Sequence, residues 1–292
     1  MTKRMTANLM LLLTAMIWGF AFVAQKEASG YIGAFTFNGI RFTLGAISLI
    51  PVILIFERND LKDIKKLKRT AVCGIITGTV LFAASSLQQF GVSYVTQASK
   101  AGFITGLYTV LVPLFNMFAG KKARLNTWIG AILAVIGLYM ISIVGSPTFE
   151  FGDILLLIGA FFWAFHILAI DRFIGGVSPI KYSCMQFFTC GMINLILVPF
   201  FELSTFSMAN IMAAGTSILY AGIMSSGIAY TLQTVAQKNA DPSEAAIIFS
   251  MESVFGAIGC TLILHELMSV NAYIGCLLIL AGIIISQLNF KK

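Results

Sequence analysis

The sequence predicts an all-α integral membrane protein of ten transmembrane helices, arranged as two inverted five-helix repeats. Three observations predict it. Of 292 residues, 58% are hydrophobic and only 11% charged, with a mean hydropathy of +0.91. A soluble domain of that length cannot hide so much apolar surface. The chain also matches itself at an offset of about 145 residues: Leu12–Trp18 falls on Leu157–Trp163, Leu87-Gln88 on Leu232-Gln233, and Gly130 and Gly137 on Gly275 and Gly282. Finally, Lys and Arg are distributed very unevenly between alternate loops.

A helix needs about 20 mostly apolar residues to cross a bilayer. The first span, Asn8–Ala24, follows Lys3 and Arg4 and contains the Trp18 end of the repeated segment. No small-residue cleavage site stands out after it, so it reads as a retained helix rather than a signal peptide. The second, Ala34–Phe56, leads into the longest loop, Glu57–Arg69. Thr70–Phe90 and Gln97–Phe118 are the third and fourth, and Asn126–Val144 the fifth, closed by the turn Gly145-Ser146-Pro147. The repeats are therefore expected at residues 1–146 and 147–292. The second repeats the plan with Gly152–Ile170, Pro179–Phe200, Asn210–Ala236, Ser243–Leu264 and Asn271–Leu288, the turn Asn239-Ala240-Asp241-Pro242 separating the eighth from the ninth. Five spans is an odd number, so the second copy enters the membrane from the opposite face. That inverted repeat is the plan of secondary transporters, whose midplane site is reached from each face in turn.

With the N-terminus inside, sixteen Lys and Arg residues fall in cytoplasmic segments; Lys26 and Lys100 fall outside and Arg41 lies within a span. The positive-inside rule then puts both termini in the cytoplasm of a multi-pass cell-membrane protein, which independently requires an even number of spans. The net charge of +7 is thus an orientation signal, and no nucleic-acid partner is expected. The basic second loop is also suited to anionic lipid. Cys73, Cys184, Cys190, Cys260 and Cys276 lie in apolar runs without metal-ligand spacing and read as small buried hydrophobes. Neither a metal nor a cofactor is expected. Gly130, Gly137, Gly275 and Gly282 mark close-packing faces on helices 5 and 10, for core packing or for a homodimer contact.

Polar groups are costly in lipid, so their positions are informative. Glu252 lies about eight residues, roughly 12 Å, into helix 9, near the midplane. A carboxylate there needs a partner or water. It suits proton coupling, recognition of a substrate amine, or a structural pairing. On helix 8, Ser226, Tyr230, Gln233 and Gln237 share one face at helical spacing. Ser85 and Gln88 form the equivalent stripe on helix 3, with Gln88 and Gln233 as repeat mates. Thr105 and Tyr108 on helix 4 have Ser250 and Ser253 as mates on helix 9. Thr14, Trp18 and Gln25 align on helix 1, and Gly159, Trp163 and His166 on helix 6. Hydroxyls and amides with aromatic walls suit a small-molecule site; interhelical hydrogen bonding is the plainer alternative. Arg41 and Lys100 are placed to snorkel to the outer surface, or to bind anions or gate the outer mouth.

These segments resemble the EamA family of the drug/metabolite transporter superfamily. The opening Leu11–Gly19 is similar to that family's first helix, and Ser85–Pro113 to its helix 3–4 signature. Met251-Glu252-Ser253-Val254-Phe255-Gly256, followed by His265-Glu266, resembles the second-half motif. Ser253 stands where the family usually has Pro, and Lys121 aligns with Glu266 in the first half. The resemblance implies ten helices around a cavity lined by helices 1, 3, 4, 6, 8 and 9, transport without ATP, and export rather than import. No Gly-Lys-Ser or Gly-Lys-Thr phosphate loop is present. The expectation is a non-enzymatic secondary transporter of a small organic metabolite such as an amino acid or amphiphile. A receptor or scaffold and a channel-like carrier are the alternatives.

Overall fold

The computed structural model describes residues 2–57, 63–95, 98–121, 123–142, 150–264 and 269–288. The described residues are helical throughout, without strands. The helices are α1 (Lys3–Ala28), α2 (Ala34–Phe56), α3 (Ile64–Tyr94), α4 (Ala98–Gly106), α5 (Tyr108–Phe118), α6 (Leu125–Ser142), α7 (Phe151–Phe173) and α8 (Pro179–Phe201). After α8 come α9 (Met208–Ala213), α10 (Gly215–Leu219), a π-helix (Tyr220–Tyr230), α11 (Thr231–Ala236), α12 (Pro242–Phe249), α13 (Met251–Leu264) and α14 (Val270–Gln287). Among the described residues, seven helical stretches are long and apolar enough to cross a membrane, and Leu125–Ile141 is a shorter apolar helix. Arg58, Lys62, Lys122, Lys291 and Lys292, the turn Gly145-Ser146-Pro147 and the His265-Glu266 pair lie outside the described residues, as do the side chains of Lys100 and Cys260.

Polar side chains start several helices by accepting from first-turn N–H groups: Thr2 from Met5, Asp63 from Lys66, Ser207 from Asn210, Asp241 from Ser243 and Glu244, and Ser269 from Ala272. Each such cap contributes about 1 kcal/mol. Pro179 and Pro242 occupy first-turn positions, where the missing N–H costs nothing.

Two helices lack a cap of their own and borrow one. Gly33 precedes α2 and offers no side chain; Glu202, at the end of α8, accepts from Phe35 N at 2.8 Å, Thr36 N at 2.8 Å and Thr36 Oγ1 at 2.7 Å. Ser178 precedes α8 without a side-chain cap bond; Glu57, at the end of α2, accepts from Ile180 N at 3.1 Å and Lys181 N at 3.0 Å. A carboxylate on the positive end of a helix is favourable. Glu57, Phe35 and Thr36 relate to Glu202, Ile180 and Lys181 by one shift of 145 residues. The α2–α8 pair is thus capped reciprocally, once at each end.

Reciprocity recurs where α6 crosses α14. A Cβ on Gly130 would lie 2.6 Å from Gly282 O, and one on Gly275 would lie 2.5 Å from Gly137 O. The glycine faces of these two helices are therefore spent on each other within the chain. Their opposite faces, with Ile132, Ile136, Leu277 and Ile284, are exposed.

Candidate functional site

Two long hydrophobic stretches are interrupted, and both interruptions border the same cavity. α4 gives way to α5 at Leu107, where Leu107 N bonds Ile104 O at 3.2 Å. α12 gives way to α13 at Ser250, where Ser250 N bonds Ile247 O, also at 3.2 Å. Leu107 (φ −61°, ψ −17°) and Ser250 (φ −58°, ψ −18°) share one backbone conformation, with the tight i to i−3 bonding of a 3₁₀ turn. Ser250 Oγ also donates to Ile247 O at 2.6 Å. Helix 9 therefore breaks without a proline at position 253: Ser253 keeps its N–H and donates it to Ser250 O at 3.2 Å.

The cavity is lined by Trp18, Ala21, Phe22 and Gln25 of α1, Arg41 of α2, Gln88 of α3, Thr105 of α4 and Tyr108 of α5. Trp163 and Ile167 of α7, Ser225 and Tyr230 of the π-helix, Gln233 of α11, Phe249 of α12 and Glu252 of α13 complete it. Its volume is about 30 Å³, room for about two water molecules. A metabolite-sized guest needs these walls to move.

Aromatic rings form one wall. Trp18 lies 4.6 Å from Tyr230 and 5.1 Å from Phe249, and Trp163 stacks on Tyr230 at 6.1 Å. Trp18 Nε1 donates to Ser225 O at 3.4 Å. Polar groups form the other. Tyr108 donates its hydroxyl to Glu252 Oε1 at 2.9 Å, so the partner of this 5%-exposed carboxylate is a phenol rather than a cation. Gln88 Nε2 donates to Gln25 Oε1 at 3.0 Å, and Gln89 Nε2 to Gln25 O at 3.1 Å. Its repeat mate Gln233 is treated differently: among the described residues both atoms of its buried amide lack a hydrogen-bond partner, as do Thr105 Oγ1 and Trp163 Nε1. Buried polar groups are nearly always satisfied, and these four atoms all belong to cavity-lining residues.

Of the residues singled out from sequence, Trp18, Arg41, Gln88, Thr105, Tyr108, Trp163, Tyr230, Gln233 and Glu252 come together around the cavity. His166, Ser85 and Ser250 stand behind its walls. His166 Nε2 meets Gln186 Oε1 at 3.0 Å, and its ring lies edge-on to Trp163 and Tyr230. Ser85 Oγ bonds Phe82 O at 3.4 Å. Lys100 falls in α4, its side chain outside those described. Arg41 does not snorkel: it is 2% exposed, although α2 places it only about two turns from that helix's start.

The stripe expected on helix 8 is displaced. Over Tyr220–Tyr230 the chain winds as a π-helix, with more residues per turn than the 3.6 that the stripe assumed. Ser225 rather than Ser226 then faces the cavity with Tyr230 and Gln233. Ser226 turns to α2, where a Cβ on Gly45 would lie 2.7 Å from Ser226 Cβ. Gln237 donates to Ile167 O at 3.1 Å instead of lining the site. Gln25 was visible as part of the helix 1 stripe; Ala21, Phe22, Ile167 and Phe249 carry no polar signal by which to single them out.

Comparison with known proteins gives concordant matches. The model of the EamA-like transporter family matches twice, over residues 5–143 and 150–288. An uncharacterized transporter of Archaeoglobus fulgidus is 30% identical over 288 residues, covering 98% of this chain and 87% of its own. The uncharacterized transporter YoaV of Bacillus subtilis is 22% identical, covering 95% of both chains. A solved crystal structure superposes with a TM-score of 0.79 at 18% identity over 96% of each chain, a likeness of fold.

Proposed function

The chain belongs to the EamA-like transporter family, and from that premise we propose that it is a secondary transporter of a small organic metabolite, an amino acid or amphiphile, working by alternating access. It is a multi-pass membrane protein of all-helical fold. In this reading it sits in the cell membrane with both termini in the cytoplasm, exports its substrate, and is built from two inverted five-helix halves meeting at residues 146 and 147. The double family match, the reciprocal Glu57 and Glu202 caps and the paired glycines support that architecture. Any homodimer through α6 and α14 would use their outward faces, because the glycine faces are occupied.

One observation carries the assignment of the site. Elements from both halves converge on one cavity in which the buried amide of Gln233 has no partner among the described residues. A solute held there would touch both halves at once, as the site of an alternating-access carrier must. Glu252 is the leading candidate for proton coupling, since its partner is a neutral hydroxyl.

The test is thermal stabilisation of the detergent-purified protein against amino acids, polyamines, neutral metabolites and cationic drugs, at pH 6 and pH 8. A ligand that binds the folded state raises Tm by mass action. The reading expects a selective hit whose shift varies with pH in the wild type and not in Glu252→Gln. A hit insensitive to pH and to that substitution would make Glu252 structural and the carrier facilitative. A protein that binds a solute but shows no flux of it in vesicles would be a receptor.

A further inference from the structure

The cavity is bordered by a cation that forms no ion pair among the described residues. Arg41 is 2% exposed, and no carboxylate among the described residues pairs with it. Its Nε donates to Asn38 Oδ1 at 2.9 Å, and Asn38 Nδ2 donates in turn to Ser85 O at 3.1 Å. The guanidinium lies 4.5 Å from the ring centre of Phe42 and 5.1 Å from that of Phe37. The group is therefore held in one orientation by α2 itself and by the backbone of α3. Of its five N–H donors, one is used. The other four have no described hydrogen-bond acceptor, and the side chain borders the cavity.

Burying a cation is costly unless it is paired. The aromatic faces offset part of that cost, but they leave the in-plane donors idle. A planar guanidinium with idle paired donors matches a carboxylate, which it binds through two parallel hydrogen bonds. We propose that Arg41 binds the carboxylate of the transported solute and sets the sign of charge that the carrier accepts. The proposal rests on the reading of this cavity as the substrate site.

The same walls limit the charge. Among the described lining residues, Arg41 is the one cation and Glu252 the one carboxylate. Tyr230 lines the same cavity. A guest with two or more negative charges would have its second charge opposed by Glu252 and matched by nothing. The chemistry fits a monocarboxylate whose far end is either uncharged or an amine directed to Glu252 and Tyr108. Quaternary ammonium and other purely cationic solutes would meet an unpaired guanidinium.

The experiment uses matched triplets on aliphatic, aromatic and hydroxylated side chains: the amino acid, the carboxylate lacking its amine, and the amine lacking its carboxylate. Leucine, 4-methylpentanoate and isoamylamine form one such set. Thermal stabilisation of the purified full chain gives apparent affinities, and counterflow in proteoliposomes tests movement of the same compounds. In at least one triplet the carboxylate-bearing members should bind and exchange, and the amine should not. Arg41→Gln should weaken that binding by about tenfold to a hundredfold, with Arg41→Lys recovering part of it. If the amino acid binds and the deaminated acid does not, the source is the zwitterion; if both bind equally, it is the carboxylate alone. Binding of amines or neutral solutes without any carboxylate overturns the proposal while leaving a carrier in place. So does carboxylate binding unchanged in Arg41→Gln. Failure of every compound to exchange in wild-type vesicles counts against the transport reading itself, and failure of every carboxylate to bind overturns the role of Arg41. Should Arg41→Gln not fold, the Lys variant and the wild-type charge selectivity decide.

Discussion

Glu252 and Tyr108 stand on different helices and share one hydrogen bond of 2.9 Å in a buried setting. Losing the hydroxyl strands an oxygen of the carboxylate, so Tyr108→Phe should lower stability by about 1–3 kcal/mol. Glu252→Gln keeps a carbonyl acceptor and should cost less. The double variant should cost less than the two added together, because each removes the same bond. A double-mutant cycle of unfolding in detergent checks this; strict additivity would mean that the bond contributes nothing. The glycine at position 33 is fixed by a different contact: a Cβ there would overlap the Glu202 carboxyl group. Gly33→Ala should therefore push Glu202 off the start of α2 and reproduce the effect of Glu202→Ala, a loss of about 1–2 kcal/mol read as a fall in Tm. Polar residues were the legible part of the site, since a costly residue in an apolar span advertises itself. Arg41 was legible as an anomaly, yet its burial was not. Its depth follows from Asn38, Phe37 and Phe42 closing around it, a matter of packing that sequence distance from a helix end does not report.

At the level of elements, seven described stretches are long and apolar enough to cross a membrane, and these were readable because about 20 apolar residues between turn signals leave few alternatives. Their internal interruptions were not. Leu107 and Ser250 break their helices without proline at the break: Gly106 ends α4 just before Leu107, and the Ser250 hydroxyl donates to Ile247 O at its own break. The π-winding of Tyr220–Tyr230 moved the cavity face from Ser226 to Ser225. A chemical test separates the two serines. With the five native cysteines replaced, Ser225→Cys should react with a small thiol reagent and be protected by a bound ligand. Ser226→Cys, pressed on Gly45, should stay unlabelled. Equal labelling of both would mean that helix 8 is an ordinary α-helix in the membrane. The α6–α14 crossing should be as intolerant as its glycines imply: Gly137→Leu meets Ile279 and Gly275 O and should cost more stability than Ile136→Leu on the exposed face.

For the molecule as a whole, the 145-residue self-match reappears in the contacts. It places Glu57 and Glu202, and the two glycine pairs, in reciprocal contacts. What sequence could not supply was which contacts join residues distant along the chain. At the end carrying the N-terminus, Arg4 pairs with Glu244 at 2.9 Å and Lys121 with Asp171 at 2.8 Å. Each pair keeps its cation in reach of water, Arg4 38% and Lys121 61% exposed, and surface pairs contribute roughly 0.2–1 kcal/mol each. On the proposed cycle, Arg4→Gln with Lys121→Gln should therefore raise labelling of Ser225→Cys from that face by about twofold to thirtyfold, and high salt should do part of the same. The most direct test of the central claim, that the cavity walled by both halves is the transport site, is counterflow by the purified protein in sealed vesicles, wild type against Gln233→Leu. The account predicts saturable exchange of a small organic solute, with KM raised at least tenfold in the variant while its Tm stays within a few degrees of wild type. Exchange left unchanged by that substitution, or an ohmic current in place of saturable exchange, would contradict it.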